Sequence, residues 1–273
     1  MTPIQADASG GPAGALTALG GPPVCIAHRG ASKEAPENTI AAFRKALQRR
    51  AEAVELDVRR TSDGVLVCLH DPTLDRTTNG SGAVAETPLS HIRKLDAGSW
   101  MSPAMADERV PTFAEGLAAI TPGAVCAAEI KATDIEAEVV DVIARCEAAD
   151  SVMVVSFHEA TLARIGELAP GTPLGWIVSK DPPADREAHA AELVERAAGC
   201  GARLISASFT TVTHELLAAA HERGMPLWVW TVDSEEPMGE LLAAGVDGIT
   251  TNVPHVLRRV IDGGAARRAS PGT

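Results

Sequence analysis

Three acids and two histidines stand where a folded chain can bring them together. Glu55 and Asp57 lie two residues apart in an apolar run that leads into Asp63-Gly64, and His70-Asp71 ends the run that follows. Asp-Gly between alternating apolar residues is a strong β-hairpin signal, because glycine supplies the positive φ of a tight turn. Folded about that turn, the predicted pairing sets Ser62 against Val65, Arg60 against Val67 and Asp57 against His70. Two carboxylates and an imidazole then share one face. A third acid, Glu129, stands two residues before Lys131 in another apolar run, and His28-Arg29-Gly30 ends a further one.

Carboxylates held close without a cation repel one another, and some must stay protonated. A hard divalent ion, Mg2+ or Ca2+, bound by Glu55, Asp57 and Glu129 resolves that conflict. Zinc fits less well, since acids outnumber histidines in the set. The competing account is a cluster of ion pairs with Arg29 and Lys131. His28 and His70 titrate near neutral pH and suit an acid–base pair. Arg29 and Lys131 suit a phosphate oxygen, or an internal salt bridge. Trp230, on one face with Trp228, suits an apolar wall for a small substrate and core packing equally. Glu37-Asn38-Thr39 could contact a ligand, but helix capping already explains Asn38 and Thr39.

The elements that must position these residues follow a regular rhythm. Strands are expected at Val24–His28, Ala53–Val58, Val125–Lys131, Val152–Phe157, Leu174–Val178, Arg203–Ser208, Leu227–Val232 and Gly248–Thr251. Each is followed by an amphipathic helix, the first at Thr39–Arg50, where Ile40, Phe43 and Leu47 recur at helical spacing, and the last at Pro254–Ile261. Strict β-then-α alternation indicates a parallel sheet covered by helices, and eight units fit a closed (β/α)8 TIM barrel. The hairpin extends strand two, and residues 72–111, polar and rich in Gly and Pro, form an insertion after it. In such a barrel the strand C-terminal ends form the site, and there His28, Glu55, Asp57, Glu129, Lys131 and Trp230 fall. The expected domain is residues 23–262, with residues 1–22 and 263–273 as disordered tails.

The chain has 273 residues and a net charge of −12, which argues against a general nucleic-acid binder. Phosphate would have to be met locally, by a metal, Arg or Lys. The five cysteines lack regular spacing, and Cys25, Cys68 and Cys126 fall in apolar runs, as buried thiols of a reducing compartment do. No secretory signal and no run of membrane-span length is present, so a cytoplasmic location is expected.

Taken together, the motifs resemble the glycerophosphodiester phosphodiesterase family, a group of phosphatidylinositol-phospholipase-C-like TIM barrels. They are His28-Arg29-Gly30, Pro36-Glu37-Asn38-Thr39, Glu55-Leu56-Asp57-Val58 and His70-Asp71-Pro72 with Thr73 to Thr78. Glu129-Ile130-Lys131, Trp228-Val229-Trp230-Thr231 and Gly245 to Ile249 complete the set, in family order over residues 24 to 260. The resemblance implies hydrolysis of a glycerophosphodiester to glycerol 3-phosphate and an alcohol, with metal on Glu55, Asp57 and Glu129 and catalysis by His28 and His70. His28 is then the general base and His70 the acid that protonates the departing alcohol. A phospholipase or lyase acting on lipids, and a non-catalytic barrel that binds glycerophosphodiesters, are the alternatives. Two positions depart from the pattern: Asn252, where relatives commonly have Asp, and Asp233, where Asn often stands. Neither is expected to touch the metal or the histidines, so substrate preference is what they should affect.

Overall fold

The computed structural model describes residues 11–179 and 183–269. A helical turn, α1 (Pro12–Ala15), precedes β1 (Val24–Ala27), α2 (Ile40–Gln48), β2 (Ala53–Arg60) and β3 (Leu66–Cys68). A short helix α3 (Leu89–Ile92) lies in the stretch that leads to α4 (Phe113–Ile120). Strand and helix then alternate: β4 (Val125–Ile130), α5 (Glu136–Arg145), β5 (Val152–Ser156), α6 (Glu159–Leu168), β6 (Leu174–Val178) and α7 (Arg186–Gly199). β7 (Leu204–Ser208), α8 (His214–Glu222), β8 (Leu227–Trp230), α9 (Glu235–Ala244), β9 (Gly248–Thr251) and α10 (Pro254–Ala269) complete the chain.

Among the described residues, eight parallel strands close on themselves, β1 pairing with both β2 and β9. This is the TIM barrel that the alternation predicts. Both strand faces are buried, and alternation along each strand divides them into two cores. Val24, Ile26, Ala53, Val125, Ala127, Met153, Val155 and Trp228 fill the barrel interior. Their neighbours, such as Cys25, Val54, Cys126 and Val154, pack outward under the helices. Residues in phase with the inner set at the strand C-terminal ends therefore open onto the mouth.

β3 runs antiparallel to β2 and takes over its edge above the point where β1 ends. The hairpin register differs from the predicted one by a residue: Arg59 pairs with Val67 and Arg60 with Leu66. The reason is a three-residue loop, Ser62-Asp63-Gly64. Thr61 Oγ1 accepts from the Val65 amide at 3.0 Å, and Gly64 takes φ of 82°. Asp57 accordingly receives the Leu69 amide at 3.1 Å, and His70 lies just past the pairing rather than opposite Asp57.

The insertion is ordered around a small core of its own, in which Leu74, Val84, Ile92, Leu95 and Val110 cover Val67 and Leu69 of the hairpin. Part of the expected N-terminal tail, residues 11–22, lies within the described residues. Residues 1–10 lie outside the described residues, but Ala13 of α1 is fully buried against the interior core at the strand N-terminal ends. At the other end α10 runs to Ala269, through much of the expected C-terminal tail, and residues 270–273 lie outside the described residues. No helix among the described residues is long and apolar enough to cross a membrane.

Candidate active site

The three acids converge. Asp57 of β2 and Glu129 of β4 are register partners, and Glu55 lies one inward-facing position below Asp57. One ligand atom from each lies within 4.8 Å of the others, and all three residues are buried. The loop after β1 supports them. Asn38, at φ 57°, grips Asp57 twice: its Nδ2 donates to Oδ2 at 2.7 Å, and its Oδ1 accepts from the Asp57 amide at 3.1 Å. The Arg29 amide donates to Glu55 Oε2 at 2.7 Å. That contact depends on a tight turn at Gly30, whose φ is 83° and where a Cβ would lie 2.6 Å from the Ala42 carbonyl carbon.

Ion pairs also form, as the competing account expects. Lys131 Nζ lies 3.2 Å from Asp57 and pairs with Glu129, and Arg29 Nε lies 3.3 Å from Asp57. Two cations do not balance three acids. Burial and the charges of Asp57 and Glu129 push the Glu55 carboxyl well above the usual range. Burial, with Asp57 beside it, raises Glu129 to about 7. Burial would raise Asp57 too, but Lys131 and Arg29 outweigh it and hold that carboxylate below its ordinary value. Glu55 Oε1 is buried with no partner, whereas Asp57 Oδ1, also without a hydrogen bond, faces the Lys131 ammonium at 3.2 Å. Buried acceptors of this kind are costly unless a cation meets them. An all-oxygen donor set with an orphaned atom and excess negative charge fits a hard divalent ion.

Both histidines line the same cavity, of about 590 Å³ with its opening to solvent, and so do Arg29, Lys131 and Trp230. They are held differently. His28 Nδ1 meets Asn252 Oδ1 at 2.8 Å, whereas His70 Nδ1 meets the Asp71 carboxylate at 2.6 Å. Burial, with Arg29 next to it, lowers His28 to about 4. Burial also lowers His70, against the charges of Asp57 and Asp71. Asp71 is tied to Arg76 at 2.6 Å, Arg76 to Glu37 at 2.7 Å, and Glu37 to Arg29 at 2.8 Å. A chain of ion pairs thus runs from one histidine round to the arginine beside the other.

The opposite wall is apolar. Val155, Phe157, Ile177, Trp228 and Trp230 line it, and Phe157 stacks edge-on against Trp230 with ring centroids 5.8 Å apart. The Trp230 indole donates to the Ser206 carbonyl at 3.1 Å, which fixes the ring. Cys25, Cys68 and Cys126 are free and buried, and burial pushes the Cys25 thiol up to about 12, so these thiols are packing groups.

Every residue singled out from sequence for this site reaches the cavity or its buried acid cluster. Sequence reasoning missed the residues behind them. Thr39 alone caps α2, accepting from the Ala42 amide, and Asn38 serves Asp57 instead. An Asn, which tolerates left-handed backbone better than most residues, immediately before a capping Thr is the available signal. Of Asn252 and Asp233, both expected to stand apart from the histidines, only Asp233 does. Asn252 touches His28, and Asp233 holds Asn252. Acid and amide face each other.

Residues 28–256 match the glycerophosphoryl diester phosphodiesterase family. The chain is 36% identical to a glycerophosphodiester phosphodiesterase of Caldanaerobacter subterraneus subsp. tengcongensis over 242 residues, 86% of this chain and 96% of that one. Among solved structures it is similar to an Oleispira antarctica phosphodiesterase in complex with the product sn-glycerol-3-phosphate. The TM-score is 0.79 at 28% identity, over 88% of this chain and 97% of that one. A glycerophosphodiester phosphodiesterase from Agrobacterium tumefaciens gives a TM-score of 0.74 at 29% identity, over 86% and 98%.

Proposed function

Because this chain belongs to the glycerophosphoryl diester phosphodiesterase family and is an enzyme of that activity, we propose the chemistry by which its own residues act. Glu55, Asp57 and Glu129 hold one divalent cation, Mg2+ or Ca2+, and His28 and His70 exchange protons with the substrate. The products are sn-glycerol 3-phosphate, the compound bound in the Oleispira relative, and an alcohol. The observation that carries this reading is the orphaned buried oxygen Glu55 Oε1 inside a cluster of three acids that face two cations.

A divalent ion in that cluster supplies the positive charge that lets a nucleophile approach an anionic phosphodiester. Arg29 and Lys131 donate to phosphate oxygens as charge builds on them. His28 takes the proton from the attacking hydroxyl, which belongs to glycerol or to water. His70, with Asp71 on its Nδ1, gives a proton to the oxygen of the departing alcohol. Phe157 and Trp230 form the dry wall against which the apolar parts of the substrate rest.

The test is release of sn-glycerol 3-phosphate from glycerophosphocholine. Chelator should abolish it, and added Mg2+ or Ca2+ should restore it. Undiminished turnover in chelator would remove the cation from the scheme.

A further inference from the structure

Behind His28 the fold has built a device that decides which of its nitrogens carries a proton. Asp233, in the loop after β8, accepts from three donors. Its Oδ1 takes the Asn252 amide at 2.8 Å and Thr251 Oγ1 at 3.1 Å, and its Oδ2 takes Asn252 Nδ2 at 2.7 Å. An ionised carboxylate only accepts, so the NH2 end of the Asn252 side chain has to face Asp233. The other end, Oδ1, then has to face His28 Nδ1 at 2.8 Å and Ser32 Oγ at 2.7 Å. An amide oxygen also only accepts, so His28 has to donate from Nδ1. Turned round, the amide would put its oxygen against a carboxylate and its NH2 against the imidazole and the serine.

We propose that Asp233 is a positioning residue for the hydrolysis. By locking the Asn252 amide it holds His28 with its proton on Nδ1, which leaves the lone pair on Nε2 to receive the proton of the attacking hydroxyl. The proposal rests on the reading of His28 as the proton acceptor. Asp233 touches neither His28 nor substrate; its charge acts through the orientation of one amide. His70 needs no such intermediary, because Asp71 contacts its Nδ1 directly. Nδ1 of each imidazole is thus held as a donor by different means, one by a carboxylate and one by an amide that a carboxylate orients.

The experiment is a two-bond 1H–15N spectrum of the full chain labelled in histidine, with the His28 signals identified by their loss in His28→Gln. Wild-type His28 should carry its proton on Nδ1. In Asp233→Asn the Asn252 amide is free to turn, and the Nε2-protonated form should appear. kcat should fall about tenfold while KM stays within about twofold, the pattern of a lost orienting contact. The exchanged pair D233N/N252D, which again sets one acid against one amide, should restore the Nδ1 tautomer and most of kcat. Wild-type His28 protonated on Nε2 overturns the proposal. So does Asp233→Asn with tautomer and kcat unchanged. If Asp233→Asn does not fold, the wild-type and exchanged-pair spectra decide, and an exchanged pair without the Nδ1 tautomer counts against it. Full turnover by His28→Gln would instead remove the reading of His28 as acceptor. An inactive His28→Gln beside an unaffected Asp233→Asn removes only the role of Asp233.

Discussion

The two sides of the barrel mouth use the same strand positions for opposite purposes. On the side of β1, β2 and β4 the inward positions carry His28, Glu55, Asp57 and Glu129. On the side of β5 to β8 they carry Val155, Phe157, Ile177 and Trp230. One rung of the sheet crosses the boundary, for Asp57 pairs with Glu129 and Glu129 with Val155. The backbone is alike on both sides, so what differs is the support behind it. Four polar groups on the first side have a partner supplied by a loop, Asn38 for Asp57, the Arg29 amide for Glu55, Asp71 for His70 and Asn252 for His28, and Glu129 is met by Lys131. The apolar side needs no such partners, and Phe157 stays 40% exposed to the opening. Buried charge has to be answered residue by residue, whereas apolar surface only has to be shaped.

Substitutions can break this contrast, and the charged side should respond most. His70→Gln should lower kcat by about 10²-fold or more, with the fold intact by circular dichroism. Turnover at the wild-type rate would take His70 out of the chemistry. On the apolar side the effect should move from kcat to binding. Trp230→Ala should raise KM about tenfold with a smaller change in kcat, since one lost apolar wall is worth about 1–3 kcal/mol. A collapse of kcat at constant KM would mean that the two sides are not separable.

The remaining predictions sharpen the contrast through stability. Glu55→Gln removes one of three acids that face two cations. It should stabilise the protein in chelator by about 1 kcal/mol, read as a rise in Tm of about 2–4 °C. A lower Tm in chelator would show that the ion pairs alone balance the cluster. The last prediction concerns acid. Folding lowers His28 from 6.5 to about 4, so between those values the unfolded chain binds a proton that the folded chain refuses. The contribution is present above 6.5 and is lost as pH falls towards about 4. His28→Gln should therefore flatten the decline of Tm over that window, and an unchanged slope would rule out this linkage.

How much of this could be read from the chain depended on distance along it. The helix expected over Thr39–Arg50 falls where its periodicity places it, at Ile40–Gln48. Glu55, Asp57 and Glu129 were identifiable because strand phase and position at a strand end are local properties. The hairpin register was not. It turned on whether Ser62 belongs to the loop, and the Thr61 side chain bonding across the turn decided that. From the sequence Asn38 reads as a cap because its local role looks sufficient, whereas its bond to Asp57 spans 19 residues.

The sequence by itself determined the eightfold alternation, the inward phase of each strand and the types of group delivered to the mouth, because periodicity and burial act within a few residues. Only the tertiary structure decided which groups answer one another. His28 meets Asn252 across 224 positions because barrel closure lays β9 beside β1. That contact, and through it the tautomer assigned to His28, follows from ring closure, which no local pattern specifies.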